Sequence, residues 1–348
     1  VKPSRKDEKV DLKAMTKICM LVLVLFSCLS CSSTGAKGLW VVLDGKEGPG
    51  KGKHIVFVIG EKEYRSEDSM PQLAKILAVH HGFKCTVLFP INRETGEIDP
   101  KINDNIPGLE ALEKADLMVL FIRSRELPDE QMKHIVDYTD SGKPIIGLRT
   151  STHAFKYENN PLSPYAKYGL QNKDFDGGYG RQVLGETWVG HYGDRKREST
   201  RGLIAKGMEN HPIVKGVEDI WSPSDAYAIS TLAGDSKPVI MGQVLVGMNP
   251  NDKPNPQKEL VPVAWTKTYT GKKSKPSRVF TTTMGHAGDL KNEGFRRLMV
   301  NACYWAMKME DKISPKANVD IVGTYDPNPV GKRGHKRNLK PADHDINK

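Results

Sequence analysis

Cysteine is scarce in this chain, and most of it lies before residue 32. Of five cysteines in 348 residues, Cys19, Cys28 and Cys31 fall in one N-terminal stretch, which leaves Cys85 and Cys303 for the rest. Two isolated cysteines exclude a disulfide framework and a paired-cysteine metal motif; both read as small buried hydrophobes. Long apolar runs are lacking too. The longest, Ile18 to Ser30 (ICMLVLVLFSCLS), falls short of the roughly 20 residues that cross a bilayer core. There is no internal repeat, and only a small positive excess of +3 is left on residues 18–330. The formal charge of +10 is concentrated at the ends: residues 1–17 carry six Lys/Arg against three acids and residues 331–348 six against two. A basic face for nucleic acid is therefore not expected.

What is present begins with a leader. Lys13 and Lys17 precede the apolar run, and the small polar residues Cys31 to Gly35 follow it, the layout of a signal peptide over residues 1–36. Met15 is a plausible start. Cleavage near Ala36, lipidation at Cys31 or Cys28, and a retained anchor all stay open. Each directs the chain to the cell envelope, periplasmic or secreted, with membrane contact only through a lipid anchor or a retained leader. Residues 37–53, ending in the glycine- and lysine-rich GKEGPGKGK, read as a linker.

Regular structure is expected from His54. The run HIVFVIG, ending at Gly60, has the continuous apolarity of a strand buried on both faces. Met70–His81, Cys85–Phe89, a short helix from Leu109 to Ala115, Leu117–Ile122, Asp129–Asp140 and Ile145–Leu148 continue an alternation of strand and helix. That alternation predicts an α/β domain over residues 54–312, a three-layer open, mostly parallel sheet. Further strands are expected at Gly202–Ala205, Val239–Val246, Val261–Trp265 and Arg278–Met284, then a helix over Leu290–Lys308. Residues 313–348 read as an extended basic tail.

Ligands in such sheets bind beyond the carboxyl ends of the strands. There the sequence is polar: Glu61, Tyr64 and their neighbours after the first strand, Arg123 after the third, Arg149, Ser151 and His153 after the fourth, and Gly285-His286 after the last. These six positions, Glu61, Tyr64, Arg123, Arg149, Ser151 and His153, are the candidate substrate-binding residues. Arg149 sits on the strand-to-turn corner where amidotransferase-like proteins carry a nucleophile; its planar fork suits an oxyanion, carboxylate or sugar hydroxyls. His191, Asp225 and His286 are the acid–base candidates, since imidazole exchanges protons near neutral pH and a carboxylate can orient it. The same three could hold a divalent metal, but their long spacing forms no local ligand motif, so no cofactor is expected. Trp188, Tyr192 and Trp221 read as core or as a sugar-stacking wall, and His211, before Pro212, as a turn residue.

With these segments the chain from about His54 to Met307 resembles the ThuA-like (trehalose-utilisation) family, within the flavodoxin-like scaffold shared with class I glutamine amidotransferases. The resemblance rests on Gly147-Leu148, GETWVGHYG from Gly185, His211-Pro212-Ile213, Asp225-Ala226-Tyr227, the terminal Met284-Gly285-His286 and Tyr304-Trp305-Ala306. Arg149 stands where many members have His, and Asp225 where many have Glu. The resemblance implies an enzyme or binder acting on a small carbohydrate such as a 3-keto-sugar or related disaccharide. Amidotransferase activity is not expected, because no cysteine lies on the turn after the fourth strand. The alternative is a non-catalytic sugar-binding or scaffold protein of the envelope.

Overall fold

The computed structural model describes residues 38–272, 275–331 and 334–346; the leader lies outside them. Among the described residues ten strands form one sheet. They are β1 Trp40–Asp44, β2 His54–Gly60, β3 Lys84–Leu88, β4 Leu117–Ile122, β5 Ile145–Leu148, β6 Thr200–Ile204, β7 Ile220–Ser222, β8 Lys237–Val244, β9 Val261–Tyr269 and β10 Ser277–Thr282, in the order β1-β3-β2-β4-β5-β10-β9-β8-β6-β7. Strands β3, β2, β4, β5 and β10 run parallel. Numbered along the chain these five follow the order 2-1-3-4-5, the flavodoxin pattern, whose switch point lies between β2 and β4. Beyond β10 the sheet turns antiparallel through β9, β8, β6 and β7. The whole is thus a mixed sheet grown on a parallel flavodoxin-like centre.

Strands β2 and β4 are buried along almost their whole length because helices cover both faces. Ile55, Phe57 and Ile59 pack with helices α1 (Ser66–His81) and α3 (Glu293–Ala306); Val56 and Val58 face α2 (Asp129–Asp140) and the 3₁₀ turn Leu109–Lys114. This period-two division of one strand between two cores is what a central parallel strand requires.

Two expectations change. The segment read as a linker contains β1, which pairs antiparallel with β3. Its glycines are there for close approach rather than slack: the Gly45 and Gly50 N–H groups donate to the Phe83 and His81 carbonyls at 3.1 and 2.7 Å. A methyl group on Gly45 would stand 2.6 Å from the Phe83 carbonyl oxygen and 2.7 Å from that of Ala78. Gly45→Ala should therefore destabilise the fold by roughly 1–3 kcal/mol through overpacking, read as a lowered urea midpoint; an unchanged midpoint would restore the linker reading. The second change concerns the expected tail. Among its described residues Ile313 and Val319 are buried, and α3 and α1 hold it through Arg296 Nε to the Val319 carbonyl (2.6 Å) and His81 Nε2 to the Asn318 carbonyl (2.8 Å). Its described residues include neither strand nor α-helix, yet they are packed.

Candidate active site

The turn after β5 is fixed by its own small residues. Ser151 Oγ donates to the Leu120 carbonyl at 2.7 Å and accepts from Ile122 N at 3.2 Å, while Thr150 Oγ donates to the Ile122 carbonyl at 3.0 Å. The turn is thereby stitched to β4. Ser151 is fully buried and its hydroxyl is engaged on both sides, so it does not join a ligand-facing set as expected. Threonine and serine here satisfy backbone groups at a sheet edge that would otherwise be orphaned.

Arg149 opens this turn with a left-handed backbone, φ 45°. Its side chain does not reach the surface. The guanidinium lies over the Tyr64 ring at 3.8 Å and the Tyr227 ring at 4.8 Å; Nη1 donates to the Thr283 carbonyl at 2.7 Å, and Nη2 stands 3.5 Å from Asp225 Oδ1. Burial works against its charge, but Tyr227, Tyr64, Asp225 and Asp289 around it outweigh that and raise its pKa above the ordinary arginine value. The expectation was a ligand-holding fork; in the structure Nη1 and Nη2 face Thr283 and Asp225, Nε is buried without a partner, and the group within its reach is Asp225.

Asp225 is buried and lies 2.6 Å from His191 Nδ1. A carboxylate only accepts, so Nδ1 carries the hydrogen, and in the neutral imidazole Nε2 then holds a lone pair. His191 is the open member of the pair, with 31% of its side chain exposed. Trp188 and Tyr227 meet its ring edge-on at 5.8 and 5.7 Å. His153 packs on Trp188 at 5.4 Å; burial, followed by the charges of Arg123, His191 and Arg149, depresses it to about 3. It therefore stays neutral at physiological pH and serves as packing beneath the pair.

At the end of β2, Glu61 Oε2 accepts from the backbone N–H groups of Glu63 (2.7 Å) and Tyr64. Its other oxygen has no hydrogen bond and lies 3.5 Å from Arg123 Nη1. Burial pushes the Glu61 carboxyl up, against the pull of the Tyr64 N–H and of Arg123, Arg149 and Arg125. Glu63 is held between Arg123, at 2.5 Å, and Arg195. The Tyr64 ring that covers Arg149 also meets His286, edge-on at 6.3 Å. His286 Nδ1 accepts from Gly288 N at 2.8 Å, so its hydrogen is on Nε2, which is buried without a partner.

Glu61, Tyr64, Arg123, Arg149, His153, His191, Asp225 and His286 thus form one connected group; the strand-end reading covers Glu61, Tyr64, Arg123, Arg149, His153 and His286, whereas His191 and Asp225 join them from loops of the second half. Trp188 belongs with them. Trp221, bonded to Ser199 Oγ at 3.2 Å, and Tyr192, whose hydroxyl donates to the Glu259 carbonyl at 3.2 Å, do not. His211 caps the turn Pro212–Val214. Glu63, Arg195 and Tyr227 were not anticipated as site residues. Tyr227 had a signal, lying two residues after Asp225 and so on the same side of an extended segment, which pairs with His191; Arg195 sits in a charged loop with none. Among the described residues no three His, Cys, Asp or Glu side chains are grouped so as to hold a metal ion.

Flavodoxin strand order with polar residues gathered at the carboxyl edge defines a class, α/β proteins on the flavodoxin-like scaffold; the candidate site is the cluster of imidazole, carboxylate and guanidinium groups described above. More particularly, the family model ThuA, described as trehalose utilisation, matches residues 55–306, and the chain belongs to this family. Among solved structures, a ThuA-like protein from Parabacteroides merdae is 15% identical, covers 81% of this chain and 96% of its own, and has a TM-score of 0.48. Another from Bacteroides uniformis is 13% identical, with 78% and 97% covered and a TM-score of 0.45. A comparison with curated proteins finds no match.

Proposed function

We propose that this chain acts on a carbohydrate or keto-sugar of the trehalose or 3-keto-glycoside type by acid–base chemistry, in the cell envelope and without amidotransferase activity. The observation that carries this is the 2.6 Å pair of buried Asp225 and partly exposed His191. An oriented imidazole with a free Nε2 can take a proton from a sugar hydroxyl or from carbon beside a keto group, and return it. Glu61, whose pKa is raised by burial and whose Oε1 makes no hydrogen bond but faces Arg123 at 3.5 Å, is a second titratable group in the same connected cluster. The family description, trehalose utilisation, supports the substrate class, and the basic-then-apolar order of residues 13–36 supports the envelope. Burial raises both Cys85 and Cys303 thiols well above their ordinary value and Arg149 holds the nucleophile corner, which argues against thiol acyl transfer.

Incubating the purified chain with a panel of keto-sugars and disaccharides, followed by NMR of the sugars, tests this reading. Turnover of at least one member is expected. Binding without turnover would favour the non-catalytic sugar-binding alternative, and neither binding nor turnover across the panel would sink the carbohydrate assignment.

A further inference from the structure

We propose that the C-terminal segment 325–331 and the arginine that grips it, Arg65, are positioning elements of the site; this rests on the acid–base reading above. Arg65 follows Tyr64 directly, in a left-handed conformation with φ 65°, and its side chain is fully buried. Arginine in that conformation at the entrance to a helix needs a compensating interaction. The structure supplies it from the far end of the chain: Arg65 Nε donates to the Pro329 carbonyl at 3.1 Å and Nη2 donates to that of Gly331, while Nη1 lies 3.1 Å from Glu67 Oε1. The segment answers with its own donors. Gly331 N donates to the Glu63 carbonyl at 2.9 Å, and Asn328 N and Nδ2 donate to Asp68 Oδ2 at 2.9 and 3.0 Å.

The same segment reaches the second site loop. Tyr325 Oη donates to the Ala287 carbonyl at 2.7 Å, and Ala287 N donates to the Tyr64 carbonyl at 3.0 Å. A closed ring of bonds therefore links the loop after β2, which carries Glu61 and Tyr64, the segment 325–331, and the loop after β10, which carries His286. The bonds land on the Glu63, Tyr64 and Ala287 carbonyls, within three residues of Glu61 and next to His286. Residues 313–320, by contrast, bind the helices α1 and α3 away from the site, through Arg296, Arg297 and His81. The earlier stretch anchors the segment to the fold, and the later stretch sets the spacing of two site loops.

The test uses the full chain with Tyr325→Phe, which removes one donor and keeps the ring, and separately Arg65→Met with Arg65→Lys as the conservative partner. Hydrogen exchange is read at peptides covering 61–65 and 285–289, with the His286 ring proton shift as the spectroscopic signature and thermal unfolding as the control for the fold. Loss of one such bond corresponds to exchange about tenfold faster in the affected loop. Tyr325→Phe is expected to give that at 285–289 and to move the His286 signal while the melt stays cooperative; Arg65→Met should do so at 61–65, with Arg65→Lys in between. Unchanged exchange at 285–289 and an unmoved His286 signal in Tyr325→Phe overturn the proposal, whatever Arg65→Met does to folding. Because no ligand enters these readouts, they can fail while the sugar panel succeeds, and the reverse.

Discussion

His191→Gln is expected to lower turnover of whichever panel sugar is a substrate by about a hundred- to ten-thousand-fold, the range lost with a general acid–base group. Glutamine keeps a polar side chain of similar reach, able to donate to Asp225, but it cannot exchange a proton near neutral pH. Asp225→Asn should act in the same direction by a different route: an amide can donate to Nδ1, which leaves the hydrogen on Nε2 and turns the open nitrogen from acceptor to donor. The Asp225 change should also loosen Arg149, which stands 3.5 Å away, whereas His191 is partly exposed and its replacement should leave stability nearly unchanged. Turnover by His191→Gln within about threefold of the parent would remove His191 from the chemistry.

Arg149→Met is expected to have the largest effect on stability, a loss of about 3–5 kcal/mol, because it breaks a buried ion pair by removing one partner. The Thr283 carbonyl loses its 2.7 Å donor and the rings of Tyr64 and Tyr227 lose the cation between them. Asp225 then stays buried with His191 as its remaining partner at the site. Arg149→Lys keeps the charge but not the planar fork, so an intermediate loss follows. Urea unfolding monitored by tryptophan fluorescence measures both. A loss below about 1 kcal/mol for Arg149→Met would contradict the buried pairing described here, since that is the range of an exposed pair.

The strand-end logic worked because it uses only local signals. Continuous apolar runs such as HIVFVIG and LMVLFI mark strands buried on both faces, and in an open parallel sheet whatever follows them lies at one edge. Glu61, Tyr64, Arg123, Arg149 and His286 could be placed together on that basis. Ser151 shows the limit: its position on the turn was legible, but the partners of its hydroxyl, Leu120 and Ile122, belong to a strand some thirty residues earlier in the chain.

The sequence by itself determined the alternation of strand and helix in the first half, the α/β class that follows from it, four of the five strands of the second half to within a few residues, and the absence of a thiol from the nucleophile corner. Each depends on residues near one another in the chain. The antiparallel pairing of the second half and strand β7 were not legible. Tertiary structure alone decided three further things. The glycine-rich stretch 45–53 became close packing rather than slack, because glycine serves both ends equally and only the presence of Phe83 and His81 chooses between them. Arg149 turned inward, because a guanidinium on a turn is a surface charge unless two tyrosines, a carbonyl and a carboxylate from distant segments enclose it. The C-terminal segment 325–331 packed against the loop after β2 instead of extending as a tail, because composition records its prolines but not the buried Arg65, some 260 residues away, to which its carbonyls are bonded.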